Sequence, residues 1–143
     1  MSVNGAVKAG DLFFFYGLLK RGASGMPAHI DLEAAGEFLD TVYVHGTLYN
    51  LGSYPGLVGG EQLVKGIRYR LDDVSVVPDL DAFEDINADD PINSLYCRVK
   101  RVLLDEHGQP TGEEAWVYWY NRSIAGRTAI ESGDWPLKGS RSR

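Results

Sequence analysis

The segment from Leu12 to Tyr16 constrains the fold more than any other part of this sequence. Its five residues are all apolar or aromatic, so neither face of an extended chain would be polar. Such a run is typical of a strand that is buried on both sides. Gly17 follows directly, and a glycine at a strand end lets the backbone turn and lets a ligand approach closely. We therefore expect a strand that ends in a backbone turn, which is either a plain strand end or a place where backbone N–H groups face a ligand.

Length and composition indicate one globular domain over residues 1–143, with flexible ends at 1–10 and 137–143. A hydrophobic fraction of 44% and an aromatic fraction of 11% argue against a disordered chain. A net charge of −6 disfavours a nucleic-acid-binding surface, which would need a basic face. The single cysteine, Cys97, excludes an internal disulfide framework and fits a reducing cytoplasm.

The sequence contains no strong pattern for a metal site, a membrane-spanning segment or a catalytic cysteine. The three histidines at 29, 45 and 107 lack metal-ligand spacing, so no metal site is predicted. No apolar run reaches the length of a membrane span, and the N-terminus lacks the apolar core of a signal peptide. Cys97 lies within a predicted strand without a histidine partner, which favours a packed thiol over a nucleophile. We therefore expect a cytoplasmic protein that binds neither nucleic acid nor membrane.

Strands outnumber helices in the sequence pattern. β-Branched and aromatic residues predict four further strands, at 41–49, 62–71, 95–104 and 114–120. The last two should form an antiparallel hairpin. Residues 50–60 are rich in glycine and read as a connection, and a short helix is expected within 29–39. The predicted fold class is α+β, a small mixed β-barrel with short flanking helices.

A second short helix, with one apolar face, is predicted within 75–86. Pro78 suits its first turn, where the missing N–H costs nothing. The inward face consists of residues three or four apart: Val77, Leu80, Phe83 and Glu84. The Glu84 carboxylate therefore falls on the face expected to pack inward. Asp81 and Asp85 fall on a different face, which we expect to be solvated.

Two interpretations of Glu84 are open. It could lie at the edge of the apolar face or pair with Arg98 or another arginine, as buried carboxylates commonly do. Alternatively, it is a catalytic acid/base whose carboxylate faces a pocket. The helical pattern alone does not choose between them.

Six short motifs follow one another along most of the chain, from about Leu12 to Trp135. They are Phe15-Tyr-Gly-Leu-Leu-Lys20, Gly46-Thr-Leu-Tyr-Asn-Leu-Gly-Ser-Tyr-Pro-Gly-Leu-Val58, Leu80-Asp-Ala-Phe-Glu84, Tyr96-Cys-Arg98, Ala115-Trp-Val-Tyr118 and Ser132-Gly-Asp-Trp135. In this order and spacing the set resembles the gamma-glutamylcyclotransferase-like family, in its branch of AIG2-like and gamma-glutamylamine cyclotransferase-like proteins.

The resemblance implies a compact mixed barrel with a cavity. In it, the turn after Tyr16 presents backbone N–H groups to the substrate, and Glu84 is the general acid/base. Arg98 would position Glu84 or bind a substrate carboxylate. The substrate-binding residues that the resemblance implies are Tyr16, Gly17, Leu18, Leu19, Tyr49, Tyr54, Arg98 and Tyr118.

The implied chemistry is intramolecular. In a gamma-glutamyl amine or peptide, the substrate's alpha-amine attacks its own gamma-carbonyl, which gives 5-oxoproline and a free amine. Because nucleophile and electrophile are tethered, such a reaction needs no cofactor, and the protein must hold the folded-back conformer. The resemblance thus implies an enzyme for a small molecule, acting as a monomer or homodimer.

Two departures from the family pattern keep an alternative open. Leu18 stands where the family usually has Ser or Thr, which removes a hydroxyl that could contact the substrate. The segment between Glu84 and Tyr96 is also longer than is common. The alternative is a non-catalytic domain of the same fold that binds a small metabolite. A purely structural domain would instead have Glu84 in a salt bridge and a cavity filled by aromatic side chains.

Overall fold

The computed structural model of the chain describes residues 7–16, 31–52, 55–83 and 94–133. Their elements are β1 (Leu12–Phe15), α1 (Leu32–Ala35), β2 (Gly36–Asn50), β3 (Pro55–Leu71), α2 (Val77–Phe83), β4 (Tyr96–Leu104), β5 (Pro110–Tyr120) and β6 (Thr128–Ala129). A 3₁₀ turn at Val74–Val76 leads directly into α2. Within these described ranges, no helix has the length and apolar character needed to cross a bilayer.

The strands form one mixed sheet that closes into a ring. Their order is β3-β1-β5-β4-β2-β6, and β3 also pairs with β2. β1 is parallel to β5 and antiparallel to β3, and the remaining pairings are antiparallel. The ring is weakest between β4 and β2, which are joined in register at Tyr43 and Leu104. The predicted α+β class, with a mixed sheet and short helices, is confirmed.

β1 lies at the centre of the core and is covered on both sides. Phe13, Phe14 and Phe15 are each at most 2% exposed. Phe13 and Phe15 belong to the cluster beneath the helices, which includes Leu80 of α2. Phe14 belongs to a second cluster with Val64 and other residues from the facing strands. The predicted strand with two buried faces is therefore confirmed.

The hairpin of β2 and β3 is longer than the sequence pattern predicts. The glycine-rich segment 50–60 was expected to be a connection, but β3 already begins at Pro55. Gly46 pairs with Gln62 and the next residue, Thr47, pairs with Val58, so residues 59–61 bulge out of the ladder. Glycines in a strand commonly mark such a bulge. The expectation of a continuous connection is wrong because these glycines interrupt the strand without ending it.

Gly66 permits the closest approach between β3 and β1. A Cβ atom at this position would lie 2.5 Å from Cζ of Phe14 and 2.7 Å from the carbonyl oxygen of Phe15. Real Cβ atoms do not approach other atoms so closely, and the Phe15 carbonyl belongs to a buried strand that cannot move aside cheaply. The glycine at 66 is therefore required by the packing of β1.

Gly66→Ala should destabilise the protein by about 1–3 kcal/mol, because overpacking displaces buried side chains or backbone. Urea unfolding measures the change in the free energy of unfolding. Gly59→Ala is the matched control, since a Cβ there meets nothing within 4 Å; it should change stability by no more than about 0.5 kcal/mol. Equal effects of the two substitutions would contradict the assigned role of Gly66.

Candidate functional site

Several residues implied as site residues lie toward one end of the sheet. Because β1 and β5 run parallel, with Phe13 beside Trp116, Tyr16 at the exit of β1 lies toward the end where β5 finishes. Tyr118 lies toward that end of β5. The turn between β2 and β3 reaches the same place, since Tyr49 pairs with Gly56. The topology thus brings Tyr16, Tyr49 and Tyr118 toward a common end of the ring.

Tyr16 joins three strands at the exit of β1. The side chain is buried, and its hydroxyl donates to the backbone carbonyl of Tyr118 at 2.5 Å. The same oxygen accepts a hydrogen bond from the backbone N–H of Leu57 at 3.3 Å. Since the hydroxyl is engaged with β5 and β3, Tyr16 fixes the point from which the chain continues to Gly17.

Two further tyrosines, Tyr96 and Tyr120, shape this end of the sheet, although neither was among the predicted site residues. They are paired across β4 and β5, with ring centroids 5.6 Å apart in an edge-on arrangement. The Tyr96 hydroxyl donates to the carbonyl of Pro55 at 2.6 Å, which ties β4 to the start of β3. The sequence did contain a signal for both tyrosines. Tyr96 is two residues from Arg98 and Tyr120 is two residues from Tyr118, and residues two apart in a strand lie on the same face.

Asp81 of α2 binds Arg98 of β4 and Tyr118 of β5. Nη1 of Arg98 lies 2.5 Å from both carboxylate oxygens of Asp81, and the Tyr118 hydroxyl donates to Oδ1 at 2.8 Å. The side chains of Arg98 and Asp81 are 7% and 22% exposed. The expectation that Asp81 lies on a solvated face is therefore wrong. Helical periodicity cannot reveal it, because the partners that hold Asp81 come from distant strands.

Trp116 extends this cluster toward the start of β1. The Arg98 guanidinium lies over the Trp116 ring, 5.4 Å from its centroid, in a cation–π contact. The Trp116 indole N–H donates to Asp11 at 3.0 Å. Burial alone would raise the pKa of Asp11, but hydrogen bonds from the Lys8 backbone and the Trp116 indole, with nearby lysine charges, hold that pKa below its usual value. Asp11 thus remains an acceptor for the indole at neutral pH.

Cys97 lies on the face of β4 opposite to Arg98 and is unsuited to nucleophilic chemistry. It is half-buried and stands opposite Trp119 of β5. Burial raises the pKa of its thiol, although the charge of Arg101 opposes the effect. The thiol form therefore dominates at neutral pH, in agreement with the sequence interpretation. In the part of the chain that the structure describes, no three His, Cys, Asp or Glu side chains are grouped to hold a metal ion.

The remaining predicted site residues, Glu84, Gly17, Leu18, Leu19 and Tyr54, lie outside the described residues, as do Asp85, Trp135 and the side chain of Phe83. Each of three described elements leads directly to one of them in the sequence. In the sequence, Tyr16 precedes the glycine at 17, α2 precedes Glu84, and Tyr54 directly precedes β3. What the structure describes is thus the scaffold that carries these residues.

An open groove of about 410 Å³ lies at the other end of the ring. It runs along β2 and the turn between β4 and β5, and its polar lining includes Arg68, Asp105, His107 and Thr111. Among the described residues, none of the predicted site residues lines it. The groove is therefore separate from the tyrosine-rich end of the sheet.

Arg98→Ala should lower the free energy of unfolding by about 1.5–3 kcal/mol, the usual cost of losing hydrogen bonds to a charged group. The substitution removes both the partner of Asp81 and the cation over Trp116. Arg101→Ala is the control: this exposed arginine stacks on Trp119 at 4.4 Å, and its loss should cost no more than about 1 kcal/mol. Chemical denaturation of both variants checks the difference, and a smaller loss in Arg98→Ala would contradict it.

Comparison with known proteins assigns the chain to a family. The family described as "Gamma-glutamyl cyclotransferase, AIG2-like" matches residues 13–137. The gamma-glutamylcyclotransferase family protein YtfP of Escherichia coli K12 is 32% identical over 122 residues, covering 85% of this chain and 93% of that protein.

Solved structures show the same fold. A solution NMR structure of ytfP from Escherichia coli has a TM-score of 0.59 at 27% identity, covering 90% of this chain and 98% of that chain. A crystal structure of protein PH0828 from Pyrococcus horikoshii has a TM-score of 0.61 at 20% identity, covering 87% and 88%. Since the family match spans most of the sequence, from β1 to beyond β6, this chain belongs to the gamma-glutamyl cyclotransferase, AIG2-like family.

Proposed function

We propose that the protein is a gamma-glutamyl cyclotransferase that releases 5-oxoproline and a free amine from a gamma-glutamyl amine or peptide. The observation that carries the proposal is the family match over residues 13–137. It is supported by the relative YtfP, which is named as a member of a gamma-glutamylcyclotransferase family. The fold adds a scaffold whose elements lead directly to the residues that the reaction requires.

The reaction forms one bond and breaks one. The alpha-amine nitrogen of the substrate bonds to its gamma-carbonyl carbon, and the bond from that carbon to the leaving nitrogen breaks. The attacking nitrogen gives up two protons, one from the alpha-ammonium group before attack and one as the lactam N–H forms, and the leaving nitrogen takes up two as it departs as an ammonium group, so protons balance without a co-reactant. A single carboxylate that accepts the first proton and returns it can serve both steps.

We assign this acid/base role to Glu84. It is the residue that follows α2 in the sequence, and the family resemblance identifies it independently of the helical pattern. Asp81, the other carboxylate near the end of α2, already accepts hydrogen bonds from Arg98 and Tyr118. Its oxygens are occupied by a structural contact, which leaves Glu84 as the acid/base.

The oxyanion of the tetrahedral intermediate would be stabilised by backbone N–H groups of Gly17, Leu18 and Leu19. These residues follow Tyr16, whose hydroxyl holds the exit of β1 against β5 and β3. A fixed starting point is what a preorganised set of donors needs. Leu18 replaces the usual hydroxyl but leaves its backbone N–H in place.

The pocket would be shaped by Tyr49, Tyr54 and Tyr118, with Tyr16 behind them. The hydroxyls of Tyr16 and Tyr118 have protein partners, so their rings rather than their hydroxyls would face a substrate. Arg98 is bound to Asp81, which favours its positioning role over binding of a substrate carboxylate. The leaving amine is left to experiment, since the family supports the reaction type more than the substrate.

Glu84→Gln should lower the release of 5-oxoproline by about 10²–10⁴-fold, the usual contribution of general acid–base catalysis. The measurement is 5-oxoproline release from a panel of gamma-glutamyl dipeptides and gamma-glutamyl amines. Ligand binding, followed by thermal shift with the same panel, should be retained. Glu61→Gln, an exposed glutamate in β3, is the matched control and should keep full activity.

Two outcomes would change the proposal. Full activity in Glu84→Gln would remove Glu84 from the acid/base role while keeping the cyclotransferase. Absence of release by the wild-type protein, together with a thermal shift by one of the compounds, would instead favour the binding domain without turnover.

A further inference from the structure

Helix α2 depends on the sheet for its position. It has seven residues, and a helix of that length is not stable on its own in water. Leu80 anchors it from within, since this side chain is fully buried in the cluster that contains Phe13. An apolar contact of this kind is non-directional, so it holds the helix down without fixing its rotation. A directional contact is needed to fix that rotation.

Asp81 supplies that directional contact. Its two strand partners, Arg98 and Tyr118, are directly opposite each other in the register of β4 and β5. The carboxylate therefore binds one cross-strand pair, and its hydrogen bonds to a cation and a hydroxyl are of the strong, charge-assisted kind. With Arg98 only 7% exposed, water competes poorly for the guanidinium.

The receiving surface is itself rigid. Arg98 lies on the Trp116 ring, and the Trp116 indole is tied to Asp11 at the start of β1. Both Arg98 and Trp116 belong to strands within the ring, where β4 and β5 are paired along most of their length. The contact thus joins the last turn of α2 to the long β4–β5 pairing.

We propose that Asp81 is a positioning residue for the catalytic acid/base, which rests on the proposed function of Glu84. Asp81 precedes Glu84 by three residues, a distance that even a fully extended chain limits to roughly 11 Å. Fixing the carboxylate of Asp81 on the sheet therefore restricts where the acid/base can be. A misplacement of about 1 Å can cost about 10²-fold in rate, so such a restraint can matter for the rate of the reaction.

The test compares Asp81→Asn with Asp79→Asn. Asparagine keeps the shape of Asp81 but removes the charge that Arg98 binds. Asp79 is an exposed residue of the same helix, two positions earlier, and makes the matched control. Tyr118→Phe is a milder second variant that removes one hydrogen bond to Asp81, and Tyr43→Phe, at the other end of the sheet, is its control.

Two readouts are taken on the full chain of each variant. The first is kcat and KM for 5-oxoproline release with the best substrate of the panel. The second is hydrogen exchange of the backbone amides, compared between α2 (residues 77–83) and the strands. The exchange readout does not depend on turnover, so it separates this proposal from the proposed function.

Asp81→Asn should lower kcat at least about tenfold with KM changed by less than about threefold. It should also speed exchange at residues 77–83 of α2 while the strands keep wild-type exchange. Tyr118→Phe should show the same pattern more weakly, and the double variant should lose less than the product of the two single effects. Asp79→Asn and Tyr43→Phe should match the wild type in both readouts.

Three results would overturn the proposal. Wild-type kcat in Asp81→Asn would do so while leaving the cyclotransferase intact. Exchange that rises equally in the strands and at residues 77–83 would make Asp81 a general stabilising residue. If the wild-type protein releases no 5-oxoproline, the proposed function fails by itself, and unchanged exchange at residues 77–83 in Asp81→Asn would then overturn the anchoring as well.

Discussion

The burial of β1 between β3 and β5 is the constraint on which the other parts of the structure depend. Phe13 and Phe15 fill the core beneath the helices, and Phe14 fills the core on the other side. An apolar strand face must be covered by a packed layer, so a strand that is apolar on both faces needs two such layers. A position within a closed ring of strands provides both. The parallel pairing with β5 then decides that the chain leaves β1 at the tyrosine-rich end.

Sequence patterns predicted those parts of the fold that are encoded locally. The apolar run of β1, the hairpin of β4 and β5, and the helix containing Pro78 each depend on residues that are close in the chain. The start of β3 was missed because the bulge at residues 59–61 is defined by its pairing with β2. Glycine and proline have the same local preferences in a bulge as in a turn, so only the partner strand distinguishes the two.

The candidate site likewise contains residues that short motifs predict and contacts that they do not. Glu84 and the turn after Tyr16 were predicted as site residues from short motifs that resemble the family, and both lie outside the described residues. The contacts of Asp81 and of Tyr96 could not be identified in this way, because each joins elements that are distant in the sequence. Helical periodicity predicts which face of a helix a residue occupies. It does not predict that a buried arginine, here Arg98, lies on the strand that this face contacts.

Under the proposed function, Asp81 and Glu84 have different physical requirements. A positioning carboxylate works best when it stays charged and fully bonded, as Asp81 is by Arg98 and Tyr118. An acid/base must exchange its proton during the reaction, so strong permanent partners would oppose its task. In the proposed function, a bound carboxylate three residues before the acid/base would let a short helix meet both requirements. The sheet sets the position of the helix through Asp81, and Glu84 would carry the chemistry.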